Sequence, residues 1–271
     1  MKNSIIFIII FIIIFIIFSI NSYCLENKKL IFACEDKTGY PWIFFDNFSG
    51  KPSGFDIEFL SLLAKKLDIQ IEIIPSPWKR TLEKMKEGKI DGTFSASFVA
   101  DRAKYGIYPP YKDGIPSDIY SIHYSSYSIY KLKTSPVYFN KNKFINLNGL
   151  IGAQLGFSIV SDIKKMGYLV DDSTADPDSI LKKLISKRVE VALIQSERAD
   201  YLIKNNPSYL FNITKMDYSE FPFHKKPYYI MISKKICTEN PEFIDKIWKT
   251  ILEVKTSHEY FDLIKKYNIS R

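Results

Sequence analysis

Cysteine and histidine are scarce in this chain, with three of each in 271 residues. Cys34 and Cys237 stand far apart and fit neither a metal-ligand cluster nor a CxxC redox motif. Two arrangements are open to them: a disulfide, if the chain is exported, or two half-buried thiols at strand ends. Sequence spacing does not give the Cα separation that a disulfide requires. His123, His224 and His258 are isolated, and HExxH, GxSxG and paired nucleophiles are all missing. No catalytic residue, metal site or cofactor is therefore expected, because acid–base or nucleophilic chemistry needs such groups placed together. Dense basic blocks with interleaved aromatics are missing too, which argues against nucleic acid. The formal charge of +8 is spread over lysine pairs (Lys65-Lys66, Lys164-Lys165, Lys225-Lys226, Lys265-Lys266) that read as solvated faces. Such a mild positive surface helps draw in small anions.

Charge is also missing from the N-terminus, where Lys2 is the single charged residue of the first 24. Ser4 to Ile20 is almost wholly Ile and Phe, and small polar residues follow (Ser19, Asn21, Ser22). A basic start, an apolar core and a polar end read as a secretory signal, residues 1–24, with Ser22 and Cys24 at the small-residue positions of a cleavage site. The alternative is an uncleaved anchor, since the apolar run reaches the lower limit for a bilayer span, about 17 residues. Lipidation of Cys24 is disfavoured by the bulky Tyr23 before it. A periplasmic location is expected after cleavage, and a membrane-tethered one without it. The rest of the chain suffices for one large or two medium domains.

Periodicity divides that remainder into two similar halves. KLIFAC (Lys29 to Cys34) reads as a strand, FDIEFLSLLAKKL as an amphipathic helix, Gln70 to Ile74 as a strand, the Trp78-Leu82-Met85 stripe as a helix, and Ile90 to Phe94 as a strand. Short crossovers in β-α-β-α-β order imply a parallel sheet with helices on its faces. The pattern then recurs. Strands are expected at Leu150 to Gln154, Tyr168 to Asp171 and Val189 to Ile194. Helices are expected after Ser158, which can cap, around Ile180 to Ile185, and over Ser196 to Ile203. MKEGKIDGTF and LISKRVEVAL occupy equivalent places in the two halves. A final strand (Tyr228 to Ser233) and two helices (Pro241 to Val254, Glu259 to Lys266) return to the first half. Pro109, Pro110 and Pro116 mark one crossing between lobes, and Pro222 and Pro227 another. Two crossings make a hinge with a cleft beside it.

The stretch WKRTLEKMKEGKIDGTFSASFVADRAKYGIYPPY concentrates the chemistry. A helix ends at Gly88, a buried strand follows, and a small polar loop (Ser95, Ser97) leads to Arg102, where another helix is expected to start. A strand that delivers small residues and a guanidinium to one point is suited to holding an anion. The alternatives are an Asp101–Arg102 surface pair or an arginine capping local carbonyls.

Taken in order, GYPWIFF, SGFDIEFLSLLAKKL, EGKIDG, the Ser-rich loop to Asp101-Arg102, YPPY, LNGLIGAQLGFS, SKRVEVALI and WKTILEVKTSHEYFDLIKKY make the chain resemble the extracytoplasmic solute-binding proteins of ABC importers, family 3, amino-acid type, over residues 28–268. The resemblance implies an α/β, two-lobed, type II periplasmic-binding-protein fold with two sheets joined by a two-crossing hinge. The lobes would be residues 25–115 with the return 227–271, and residues 116–226. It implies a monomeric, non-enzymatic receptor for a small carboxylate-bearing solute, partnered by an ABC permease. Arg102 would grip the carboxylate, with Ser95 and Ser97 beside it. Ser158, in the Gln154 to Ser158 loop, would cap the helix and also touch the ligand, or only cap the helix. Tyr40 and Trp78 match wall positions, although Trp78 also begins a core stripe; Trp42 and Phe44 read as core. Arg80 either faces the cleft or solvent. Two positions depart from the pattern: Val99 stands where amino-acid binders carry threonine, and Gln195 where they carry the aspartate that pairs with the ligand ammonium. Glu35, Asp36 or Glu197 could replace that charge, Glu197 less readily because it should point along the helix. Two other functions share this scaffold: an enzyme such as a dehydratase of cyclic carboxylates, and a tethered sensor or orphan receptor.

Overall fold

The computed structural model describes residues 29–46, 48–216 and 225–269. The apolar N-terminal segment, Pro222 and His224 lie outside them. In chain order the first sheet takes β1 (Lys29–Glu35), helix α1 (Phe55–Leu67), β2 (Gln70–Ser76), α2 (Trp78–Lys86), β3 (Gly92–Ser97), β4 (Gly106–Ile107) and β5 (His123–Ser125). The second takes β6 (Tyr127–Leu132), β7 (Ile151–Ala153), α3 (Ser158–Lys165), β8 (Val170–Asp171), α4 (Pro177–Ile185), β9 (Val191–Gln195), α5 (Ser196–Lys204), α6 (Pro207–Asn212) and β10 (Ile213–Lys215). The chain then returns through β11 (Lys226–Ser233), α7 (Lys234–Glu239), α8 (Pro241–Lys255) and α9 (His258–Lys266).

Sheet order in the first lobe is β2-β1-β3-β11-β4, with β5 also pairing β11; in the second it is β8-β7-β9-β6-β10. β1 pairs in parallel with β2 and β3, and β7 with β8 and β9. The expected parallel units are therefore present in both halves. Each sheet also receives antiparallel strands: β11 in the first, β6 and β10 in the second. Both faces are covered, as parallel strands demand. In β1, Leu30, Phe32 and Cys34 face α1 and α8 (Phe59, Trp248, Ile251). Ala33 turns to the opposite face with Trp78, Met85 and Tyr229. In the second lobe α3 packs Ile159 and Ile163 on Leu193, and α4 packs Ile180 and Leu184 on Ala192 and Ile194.

The crossings differ from the expectation. YPPY does not leave the first lobe: Tyr111–Lys112 and Ile115–Pro116 pair as a short hairpin, and the chain returns to its sheet as β5, antiparallel to β11. The outward crossing is at Ser126, between β5 and β6, and not at residue 116. Prolines marked a turn and not the hinge, because a proline's fixed φ serves a tight reversal as well as a linker. On the return, Pro227 lies inside β11. Cys34 and Cys237 are free thiols. Burial and the carboxylates around it push Cys34 up to about 12, so it is a core residue and not a nucleophile. Cys237 is in α7, not at a strand end.

Candidate functional site

The cavity between the lobes is lined from both sides and has room for about one water-sized sphere, about 20 Å³. Glu35, Trp78, Ser95, Ser97, Arg102, Ser158 and Gln195, all expected from sequence, line it. They reach it because β1, β3, β7 and β9 all end there, and ligands of such sheets lie beyond the carboxyl ends of the strands.

Ser95 and Ser97 belong to the end of β3 and not to a loop. The antiparallel partner β11 prolongs the ladder to Ser97↔Tyr228, with a register shift between Tyr229 and Met231. Ser95 sits at φ 52, an unusual position for a residue with a side chain. Its hydroxyl donates to the Asp56 carboxylate. Arg102 opens a single 3-10 turn, Arg102–Lys104, and no α-helix. Its guanidinium is buried, donating Nη1 to the Ser97 carbonyl at 2.8 Å and Nη2 to the Gly156 carbonyl at 2.9 Å, 5.3 Å from the Trp78 ring. Asp101 pairs instead with Lys104. Trp78 Nε1 also donates to the Gly156 carbonyl, at 3.1 Å. Gly156 adopts φ +78, and a Cβ there would stand 3.3 Å from Trp78. Its glycine thus gives the second-lobe loop both its turn and its close approach to the first lobe.

Ser158 is the first residue of α3 and caps nothing with its side chain. Its hydroxyl accepts from Ser97 Oγ at 2.8 Å, another bond between lobes. Lys226, beside it, pairs with Asp162; burial pulls the Lys226 ammonium below its ordinary value, against the pull of that carboxylate. Gln195 Nε2 donates to the Tyr228 hydroxyl at 2.9 Å, which donates to Tyr127 at 3.2 Å. Burial raises both phenols, so they stay protonated.

Tyr40 and Arg80 are not brought into the cavity. Tyr40 is 41% exposed and packs at the rim against Phe44, Tyr267 and, from the second lobe, Tyr201. The tight Gly39↔Ile43 bridge turns it outward and Trp42 inward. Arg80 is exposed on α2. Glu197 accepts from Ser125 Oγ at 3.0 Å and lines a different groove.

Several lining groups were not expected. Trp42 is core on one side, edge-on to Phe55, and cavity wall on the other, stacked on His123 at 3.8 Å. His123 is far from isolated: it also stacks on Tyr228 at 5.0 Å, and its Nδ1 lies 2.7 Å from the Asp56 carboxylate. A carboxylate only accepts, so Nδ1 carries the proton and Nε2 is left to the cavity. Arg198, buried on α5, reaches across and pairs its Nη2 with Glu35 at 2.8 Å. Nothing local in α5 singles it out, and the small residue facing it from the other lobe, Gly39, hints at the crossing.

Polar atoms without a hydrogen-bond partner among the described residues gather here: Glu35 Oε1, Trp42 Nε1, His123 Nε2, Gln195 Oε1, and Arg198 Nε and Nη1. Leaving a buried polar group unpaired costs about 1–3 kcal/mol. These unpaired groups weigh against this arrangement of the lobes. Burial holds the Glu35 carboxyl above its ordinary 4.5, against the pull of Arg198. Unfolded, that group loses its proton near 4.5; folded, it keeps it to higher pH. The folded state then binds more protons in that window, and stability falls as pH rises through it. Wild-type melting temperature is therefore expected to fall relative to Glu35→Gln as pH rises above about 4.5. Parallel curves would show that Glu35 titrates normally.

The fold and the cleft define a two-lobed binding protein of the type II periplasmic class. The chain belongs to the bacterial extracellular solute-binding proteins, family 3, whose sequence profile matches residues 31–270. It is similar to a probable histidine-binding protein of Campylobacter jejuni, 25% identical over 224 residues, 81% of this chain and 78% of that protein. Among solved structures it is similar to a histidine kinase sensor domain that itself resembles periplasmic binding proteins (TM-score 0.72, 16% identity, 89% of this chain and 96% of that one). It is also similar to the arginine-, lysine- and histidine-binding protein ArtJ of Geobacillus stearothermophilus (TM-score 0.70, 18% identity, 89% and 95%).

Proposed function

We propose that this protein captures a small carboxylate-bearing solute, a polar amino acid or a related compound, outside the cytoplasm and delivers it to the permease of an ABC importer. The observation that carries this reading is the gathering of unpartnered donors and acceptors from both lobes on one buried cavity. Family membership supports it, and the names of the relatives point to amino acids. Residues 1–24 act as the export signal in this reading, and the N-terminal residue of the exported protein tests that part.

Arg102 remains the candidate for the solute carboxylate. Its bond to Gly156 crosses between lobes, so it breaks when the lobes part and frees Nη2 for an incoming anion. The small cavity means that the solute enters an open arrangement, and closure follows as contacts from both lobes form. Nothing in this cycle requires a bond to be made or broken in the solute.

Thermal unfolding of the purified protein against amino acids and organic acids tests the reading. A ligand at about 100 times its dissociation constant stabilises by about 2.7 kcal/mol, a rise of roughly 5–11 °C for a chain of this size. A panel in which no amino acid or organic acid moves the transition would overturn it.

A further inference from the structure

Arg198 and Glu35 form a second polar centre in the cleft, apart from Arg102. They meet from opposite lobes, at 2.8 Å, and both are buried. Space for the guanidinium is built in: a Cβ on Gly39 would stand 2.3 Å from Arg198 Cζ. Phe157 covers the group from the second lobe, 5.6 Å from ring centroid to Cζ. The pair uses one edge of each partner. Arg198 keeps Nε and Nη1 without partners among the described residues, and Glu35 keeps Oε1. Trp42 Nε1 and Gln195 Oε1 add one neutral donor and one neutral acceptor to the same cavity.

Resting on the solute-binding reading above, we infer that the Glu35–Arg198 pair selects an amino acid whose side chain ends in a neutral amide-type group, a carboxamide or ureido group. With Glu35 ionised the charges of the pair cancel, so the centre as a whole then favours neither a cation nor an anion. A cationic side chain would lie against Arg198, and a carboxylate against Glu35. An amide places its carbonyl on the guanidinium or indole N–H groups and its N–H groups on the Glu35 or Gln195 oxygens. A carboxamide's one oxygen and two N–H groups then complement up to two of the unpartnered donors and two of the acceptors. A site built to hydrogen-bond a polar group rejects analogues that leave its own groups unpaired.

Isothermal titration with glutamine, asparagine, citrulline, glutamate, lysine, arginine and histidine tests this in the wild type and in two charge variants. The wild type is expected to bind one of the first three at least about tenfold more tightly than any of the last four. Glu35→Gln leaves Arg198 uncompensated, so the glutamate-to-glutamine affinity ratio should rise at least about tenfold. Arg198→Gln leaves Glu35 uncompensated, so the lysine-to-glutamine ratio should rise by a similar factor. Circular dichroism checks that each variant is folded, and the wild-type ranking decides the matter if either is not. Tightest wild-type binding of a basic or acidic member would overturn the inference while leaving the binding function intact. Unchanged ratios in the folded variants would overturn it as well. If nothing in the panel binds but another organic acid does, the inference falls alone; if nothing at all binds, both readings fall.

Discussion

Replacing Arg102 with alanine is expected to weaken solute binding by roughly 10- to 150-fold, corresponding to one charge-assisted hydrogen bond of about 1.5–3 kcal/mol. That loss corresponds to the one guanidinium contact that depends on the relation between lobes. Nη1 stays with the Ser97 carbonyl of its own lobe, whereas Nη2 ties the Gly156 loop across the cleft or, in the proposed cycle, holds the solute. Either role for Nη2 is lost in the variant. Lysine should restore little, because a single ammonium cannot span two carbonyls in the fixed fork of a guanidinium. Melting temperature without solute should move far less than affinity, since Tyr108 OH still donates to the Ser97 carbonyl at 2.9 Å and holds that strand end. Titration of the solute into the variant checks this, and a dissociation constant within about threefold of wild type would remove Arg102 from the site.

Asp56 should matter more for the fold than any charged group on the surface. Its carboxylate is fully buried at the start of α1 and accepts from both His123 Nδ1 and Ser95 Oγ. Removing it leaves the imidazole N–H and the Ser95 hydroxyl without their acceptor, at about 1–3 kcal/mol each. Asp56→Ala should therefore lower the melting temperature by roughly 4–24 °C. Binding should weaken too, as the imidazole that Asp56 orients is stacked between cleft residues Trp42 and Tyr228. Asp56→Asn keeps one acceptor and should lose less. A melting temperature within about 2 °C of wild type in Asp56→Ala would show that the carboxylate holds nothing in place.

Much of this was legible in the chain, for reasons that differ by residue. Both parallel units follow from apolar periodicity and from the paired phrases MKEGKIDGTF and LISKRVEVAL, which end in the equivalent strands β3 and β9 of the two sheets. Glu35, Ser97, Ser158 and Gln195 could be found because each stands at the end of a strand or the start of a helix, where local spacing fixes direction. Asp56 and His123 could not. They are 67 residues apart and meet only because β5 returns to pair with β11, an antiparallel closure that no local pattern encodes. Arg198 has the same difficulty, since its partner Glu35 is in the other lobe. Tyr40 and Trp42 show the limit of position matching within a tight turn: a shift of two residues decides which ring meets the rim and which the cavity.

In the proposed cycle the solute reaches its site only when the lobes part. Tyr40 and Tyr201 face each other across the rim with ring centroids 6.1 Å apart, outside the cavity lining. A Tyr40→Cys, Tyr201→Cys protein, in a Cys237→Ser background, can be joined there by a short thiol cross-linker. Saturable binding of one solute per chain is expected before cross-linking and none after it, with binding retained when solute is added first. Equal uptake by the joined and unjoined proteins would contradict it.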